Sequence, residues 1–313
     1  MLRFLAHRCL SALLVLFVVS LVTFVLIWLV PGDVASQIAD PGASAEELAG
    51  IRRRLNLDLA WHGQMITWYG NLLQGNLGES FLLNRSVTQA IIERLPVTLS
   101  LTLLALLLAL TLGIGAGVLA AVKHGTWVDQ ATMSLALVGL SIPDFWLGLV
   151  SIYVFSVWLG WLPASGYVSP FADPWMSLRT TIMPAFVLGN SFAAVLMRHT
   201  RSAMLQAMSS DYVRTARAKG LAERVVILKH AMRNALTPVI TLGALELGTL
   251  LSGAVLTEQV FSIPGFGKLI VDAVFNRDYA VVQGVTLVTA TTYILLNLMA
   301  DVAYVLVNPR LRG

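Results

Sequence analysis

Six long apolar runs lay out the plan of this chain: 9–30, 97–122, 131–160, 180–197, 236–256 and 280–307. At 1.5 Å per residue, about 17–25 residues of helix cross a bilayer core, so each run predicts a transmembrane helix. The first carries no charge and ends in Trp28-Leu29-Val30-Pro31-Gly32-Asp33. A cleaved leader would have a shorter apolar region and a small-residue cleavage site, so this run is expected to persist as a helix. In the third run, Pro143 is expected to introduce a kink, because proline lacks an N–H and crowds the preceding turn. Asp144 beside it is expected to satisfy that broken turn rather than meet a ligand. Gly113, Gly115 and Gly117 in the second run lie inside an apolar helix with no strand before them. They predict a close-packing surface rather than a nucleotide loop.

The polar segments between the runs differ in kind. Residues 31–96 form a long loop with helical patterns near 45–55 and 61–73, then a turn region, Gly75-Asn76-Leu77-Gly78-Glu79-Ser80. Residues 161–179 are rich in Pro, Gly and Trp, and 257–279 contain Pro264-Gly265-Phe266-Gly267. The stretch 198–238 is dense in base: Arg198, Arg201, Arg214, Arg217, Lys219, Arg224, Lys229 and Arg233 against Asp211 and Glu223. Within it Val213, Ala216 and Gly220 fall at i, i+3 and i+7, a helix face of small residues that would let another surface approach closely.

Composition agrees with the pattern. Of 313 residues 57% are hydrophobic and 12% charged, about half the charged share of a soluble domain. The net charge of +4 is segregated by loop, so topology accounts for it better than a nucleic-acid partner does. The N-terminus, the Lys123 loop, the 198–235 loop and the tail carry 2, 1, 8 and 2 Lys or Arg; the other short loops hold Arg179, Lys268 and Arg277. Positive residues stay inside, which puts both termini and the basic loop in the cytoplasm and 31–96 and 257–279 outside.

Catalytic chemistry finds little support. No Walker A loop exists, because Gly267-Lys268 is followed by Leu269. No Gly-x-Ser-x-Gly elbow is present, and five scattered histidines and a single cysteine, Cys9, offer no ligand spacing for a metal. A membrane enzyme would need a clustered acid, base or nucleophile within the spans. An ATP-independent transporter would be favoured by two inverted repeats, and no such symmetry is visible. Glu246, near the middle of the fifth run, is costly to place in a bilayer, by about 2.5–3.5 kcal/mol on insertion scales. Either it faces the translocation path, meeting a cationic substrate, or it is protonated and hydrogen-bonded between helices.

Asp211-Tyr212-Val213-Arg214-Thr215-Ala216-Arg217-Ala218-Lys219-Gly220-Leu221, followed by Lys229-His230-Ala231-Met232-Arg233-Asn234, resembles the cytoplasmic "EAA" loop of ABC-importer permeases, in the variant of the dipeptide, oligopeptide and nickel family. Ala216 and Gly220 match the older Glu-Ala-Ala-x3-Gly consensus, while Arg214 and Thr215 stand where Glu and Ala would be. Glu258-x-x-Phe261-x-x-Pro264-Gly265-x-Gly267, continued by Arg277-Asp278-Tyr279, resembles a second stretch of the family, with Ala280 where proline is frequent. The resemblance runs almost end to end, to Asn308-Pro309-Arg310. It implies an all-α integral membrane protein with six transmembrane helices, a type I ABC importer permease fold and an extracytoplasmic subdomain after the first helix, in a bacterial inner membrane.

The resemblance also implies a division of labour. Asp211, Tyr212, Ala216, Lys219, Gly220 and Leu221 would form a coupling helix that docks on an ATPase. Glu258, Phe261, Pro264, Gly265, Gly267 and Asp278 would belong to a re-entrant outer gate. A second homologous permease, two ATPase subunits and a periplasmic or lipid-anchored binding protein would complete the importer. ATP and Mg would sit on the ATPases, with no cofactor on this chain. The substrate would be a di- or oligopeptide, with nickel, a metal–chelator complex or glutathione as alternatives within the class.

Overall fold

A computed structural model describes the backbone of residues 2–29, 35–36, 39, 42–54, 56–80 and 82–307. Side chains at 2–7, 26–28, 54, 237–238, 240–242, 244–247 and 299–307 lie outside the described residues, as do Pro31-Gly32-Asp33 and Asn308-Pro309-Arg310. Apart from turns and irregular stretches, the regular structure among the described residues is helical, with one hairpin of two-residue strands, β1 (Glu79–Ser80) with β2 (Arg85–Ser86). It divides into two compact units, Met1–Arg94 with Leu269–Ile294, and Leu95–Lys268 with Leu295–Gly313.

The first unit opens with α1 (Leu2–Leu29), whose apolar side chains are largely exposed: Leu10, Leu13, Leu14 and Phe17 are all more than half exposed. A face so apolar and so open suits lipid or a partner helix. The polar loop holds α2 (Ala45–Arg54) and α3 (Trp61–Leu73), at the two places where the sequence shows helical spacing. Ser44 and Glu47 form a capping box at the start of α2. Ser44 N–H donates to Glu47 Oε2 at 2.7 Å, and Glu47 N–H donates back to Ser44 Oγ at 3.2 Å. That backbone bond holds the Glu47 carboxyl below its usual range. Tyr69 and Trp68 of α3 tie back to α1 through a 2.8 Å hydroxyl contact with Ser20 and ring contacts with Phe17 and Phe24.

Several helices outrun the apolar stretches that predict them. α4 (Val87–Val122) begins ten residues before the uncharged run and carries Pro96 inside it. Its first turns are polar but contain no helix breaker until that proline, so hydropathy alone places the start too late. α5 (Trp127–Ser141) and α6 (Asp144–Ser151), which continues as a π-helical stretch Ile152–Trp158, meet at 104°. The expected kink at Pro143 is therefore a complete break. Ile142 and Pro143 are both extended, at ψ 124° and 136°; Ile142 is so because the residue before a proline is pushed out of the helical region.

α7 (Pro174–Met208) starts six residues earlier than the fourth run and continues eleven beyond it. Asp173 caps it by accepting the Met176 N–H at 3.0 Å, and Pro174 occupies the first helical position. Two thirds of its most apolar window, 67%, is buried, against 17% for α1, which makes α7 the centre of the second unit. α8 (Asp211–Ala218) leads through a helical turn at Glu223–Val225 and a π-helical stretch Val226–Ala231 into α9 (Met232–Val260). α10 (Phe266–Phe275) lies within 257–279, the stretch expected to form a re-entrant segment, and α11 (Tyr279–Val307) closes the described chain. Among the described residues four helices are long and apolar enough to cross a membrane, and the bent pair makes a fifth. The remaining predicted span, the fifth run 236–256, lies in α9, where many side chains are outside the described residues.

The core of the second unit joins α4, α7 and α9 around Leu101, Ala105, Val187, Leu188, Phe192, Leu196, Val239 and Leu250. Glycines bring the backbones together. A Cβ at Gly113 would lie 2.7 Å from Ala193 O, one at Gly117 2.7 Å from Met197 O, and one at Gly189 2.7 Å from Ala105 O. Gly115, between the first two, faces open space. The close-packing surface predicted for the three glycines is thus made by two of them, spaced i and i+4.

Candidate functional site

The basic segment begins with a helix held from beneath. Val213 and Ala216 of α8 are buried, packed with Ala121 of α4, Met204 and Ala207 of α7, and Val226, Ala231 and Ala235. This corrects the expectation that the small-residue face, Ala216 included, is presented to a partner: it is turned onto the chain itself. The outward face carries Asp211, Tyr212, Arg214, Thr215, Arg217 and Lys219, all exposed. Gly220 sits at φ +75°, and a side chain there would meet nothing within 4 Å of its Cβ. Its N–H donates to Arg217 O at 2.9 Å and the Leu221 N–H to Ala216 O at 3.4 Å. That pair is a Schellman ending, so the glycine is required by its left-handed backbone and not by close approach. Beyond it, Arg217 grips Glu223 with Nη2 at 2.7 Å and Nε at 3.0 Å, which holds the Glu223 carboxyl below its usual range.

A second clamp fixes the base of this element. Asp129 of α5, 5% exposed, accepts Arg201 Nε at 2.6 Å and Nη2 at 2.7 Å, and also the Gly125 N–H at 3.0 Å. His124 Nδ1 lies 3.0 Å from the same carboxylate. Arg201 comes from α7, nearly three turns before the chain enters α8, so the fork ties the Lys123–Thr126 turn to the helix that leads into α8. Sequence reasoning counted Arg201 among the basic residues and passed over Asp129. A lone carboxylate beginning a helix after a short basic turn was the available signal.

At the far end of α9, Glu258 is fully buried. Its carboxylate accepts hydrogen bonds from the Thr98 hydroxyl and, at 2.8 Å, the Lys268 N–H; Thr98 Oγ1 in turn accepts the Phe266 N–H at 2.7 Å. Cβ atoms at Gly265 and Gly267 would fall 2.2 and 3.1 Å from that carboxyl group. The buried Phe261 ends the helix, and Ser262 follows at φ +51°, with Ile263 N–H returning to Glu258 O at 2.9 Å. The five gate candidates Glu258, Phe261, Pro264, Gly265 and Gly267 therefore form one pinned turn whose centre is the carboxylate. Asp278, the sixth, belongs to the first unit. It caps α11 by accepting the Val281 N–H at 3.3 Å and accepts a short bond from the Ser80 hydroxyl. No sequence signal marked Thr98 or Ser80 as partners, because 160 and 198 residues separate the pairs.

Among the described residues the Asp144 side chain makes no bond to the backbone at the Pro143 break. It points instead toward α7, where Ser191 Oγ donates to its Oδ1 at 3.0 Å. The two line a cavity of about 240 Å³ with Leu188, Phe192, Val195, Thr249, Leu250 and Gly253. Glu246 lies on α9 in sequence, and its side chain is outside the described residues. Among the described residues no group of three His, Cys, Asp or Glu side chains converges as a metal site.

Comparison with known proteins joins these features to a family. Residues 113–313 match the binding-protein-dependent transport system inner membrane component, and residues 1–102 match the N-terminal component of the same systems. The chain is 45% identical over 337 residues to the di/tripeptide transport system permease protein DppB of Pseudomonas aeruginosa (strain UCBPP-PA14), covering 100% of this chain and 99% of the relative. It is 44% identical over 306 residues to a putative peptide transport system permease of Brucella abortus (strain 2308), covering 97% of each. To the glutathione transport system permease protein GsiC of Escherichia coli (strain K12) it is 41% identical over 312 residues, covering 100% and 99%. The fold matches a chain of the MetNI methionine ABC transporter at TM-score 0.58 and 17% identity, over 70% of this chain and 97% of that one. The polar outward helix, the apolar spans and these matches lead to one assignment: the chain belongs to the binding-protein-dependent transport system inner membrane components, as a multi-pass permease subunit of an ABC importer.

Proposed function

We propose that this permease is non-catalytic and carries di- or oligopeptides inward, with a second, homologous permease forming the other half of the path. Two ATPases supply the energy and hold the ATP and Mg; this chain takes no cofactor. A periplasmic or lipid-anchored binding protein delivers the substrate. Both termini and the 198–235 segment face the cytoplasm, in line with the excess of Lys and Arg there. The observation that carries the reading is α8: its apolar side is buried in its own subunit while Tyr212, Arg214, Lys219 and Leu221 are left outward. A helix seated in that way transmits a push from a docked ATPase into α7 and α9, whose two arrangements would alternate access to the path. Glu246 is assigned to the path, and Glu246→Gln is expected to lower uptake with assembly intact. The pinned turn at Glu258 is assigned to its outer mouth.

Co-expression with candidate ATPases tests the docking. A Tyr212→Cys variant should cross-link to an ATPase subunit, and liposomes holding the complex should accumulate labelled dipeptide only with ATP and loaded binding protein. Failure of the ATPase to co-purify, or labelling of Tyr212→Cys from outside intact cells, would overturn it. Glutathione is the second reading, supported by the 41% identity to a permease named for it; competition between glutathione and dipeptides for uptake separates the two.

A further inference from the structure

Asp144 is a half-buried carboxylate at the break of a membrane segment, and its one hydrogen-bond partner among the described residues is the Ser191 hydroxyl. Among the described residues the others lining its cavity are Leu188, Phe192, Val195, Thr249, Leu250 and Gly253, none of them cationic. A carboxylate in such surroundings is stabilised by a counter-charge, and intramembrane carboxylates that face a cavity mark substrate or ion pathways. One carboxylate and two hydroxyls are too few oxygen ligands for a hard metal ion. Apolar walls beside a single anionic acceptor suit instead a primary ammonium on a carbon skeleton, with Phe192 available to the cation. We propose that the Asp144 cavity binds the free amino terminus of the peptide during its passage, with Ser191 holding the carboxylate in position. The substrate class rests on the importer reading above; the binding of an ammonium group does not.

Carbodiimide labelling of the intact complex tests this without transport. A hydrophobic carbodiimide modifies carboxyl groups in apolar sites, and mass spectrometry reads the total rate at Asp144, counting the N-acylurea together with any amide formed when an added amine displaces the urea. Alanyl-alanine or propylammonium, at twice its dissociation constant, should slow that rate about threefold by occupancy alone. N-acetyl-alanyl-alanine should leave it unchanged. Ser191→Ala keeps the carboxylate and should retain protection at higher amine concentrations. Equal labelling in the presence of all three compounds, or no labelling of Asp144 at all, overturns the proposal whether or not the complex transports. In liposomes, Asp144→Asn should lower dipeptide uptake at saturating loaded binding protein while binding-protein-stimulated ATP hydrolysis continues, and undiminished uptake would equally overturn it. If that variant fails to assemble, the labelling of the unmodified chain decides. Protection by amines in a complex that imports no peptide would instead remove the peptide reading and leave the ammonium site standing.

Discussion

The Glu258 carboxylate and the Thr98 hydroxyl meet across 160 residues of sequence, inside a turn whose two glycines leave no room for a side chain. The carboxylate is fully buried, so its bonds to Thr98 and to the Lys268 N–H replace the water it has lost. Gly265→Ala would drive a methyl group into that carboxyl and should cost about 1–3 kcal/mol. Thr98→Val removes the bond and leaves both the carboxylate and the Phe266 N–H short of a partner, at about 1–3 kcal/mol. The two changes act on one network, so their combination should cost less than their sum. Thermal unfolding of the purified complex for the two single variants and the double reads this; strict additivity would show that Glu258 does not link them.

Ser262 adopts φ +51° where α9 ends, a conformation that glycine enters without strain. Ser262→Gly should therefore raise stability slightly, by about 0.5–1 kcal/mol, in the same unfolding assay. A loss would mean that the serine hydroxyl matters more than the backbone.

Along α4 the glycines separate cleanly. Gly113→Ala and Gly117→Ala each place a Cβ 2.7 Å from a carbonyl of α7 and should cost about 1–3 kcal/mol. Gly115→Ala meets nothing within 4 Å and gains helix propensity, so it should be neutral or stabilising by up to about 1 kcal/mol. Detergent-resistance midpoints of the three variants rank them; an equal loss at Gly115 would place a packing partner on that face.

The apolar runs located most of the helices, because a membrane span must bury its own backbone hydrogen bonds and so shows itself as length without charge. Helix ends were harder. α4 and α7 continue into polar sequence that hydropathy treats as loop, although Asp173-Pro174 carried a start signal for α7. The 104° break at Pro143 looked like a kink, since sequence does not say whether neighbouring helices hold the two halves together. The basic segment announced a helix, but periodicity did not tell which neighbour Val213 and Ala216 would meet. They meet their own chain. Pairings such as Asp129 with Arg201 and Asp144 with Ser191 join residues 72 and 47 positions apart, and no local pattern encodes them.

Gly220 separates folding from docking at α8. Its left-handed φ and open surroundings mean that Gly220→Ala strains the helix ending, by about 1 kcal/mol, without obstructing a partner. Gly220→Asn should be tolerated better, since asparagine visits that conformation. Tyr212→Ala leaves α8 intact because the side chain points outward, and it should uncouple uptake from ATP hydrolysis if the outward face is the docking face. Uptake and ATPase rates measured together in liposomes distinguish the cases. Normal coupling in Tyr212→Ala with loss in Gly220→Asn would return the contact to the glycine.

Arg201 and Asp129 form a clamp between α7 and α5, with the carboxylate 5% and the guanidinium 24% exposed. Removing one partner of a buried pair costs about 3–5 kcal/mol, and the partial exposure of Arg201 brings the expectation for Asp129→Ala to about 2 kcal/mol. Arg201→Lys should also be damaging, because an ammonium cannot reproduce the two-pronged bond that Nε and Nη2 make. The double variant Asp129→Ala with Arg201→Leu should recover part of the loss, since no charge is left stranded. Raising salt from 0.15 to 1 M shortens the Debye length from about 8 to 3 Å, yet it should change the midpoint of the unmodified complex little if the pair is as enclosed as its burial implies. A double variant no better than Asp129→Ala alone would show that the carboxylate acts chiefly through the Gly125 N–H and His124, and the clamp would then be a turn anchor rather than a tie between α5 and α7.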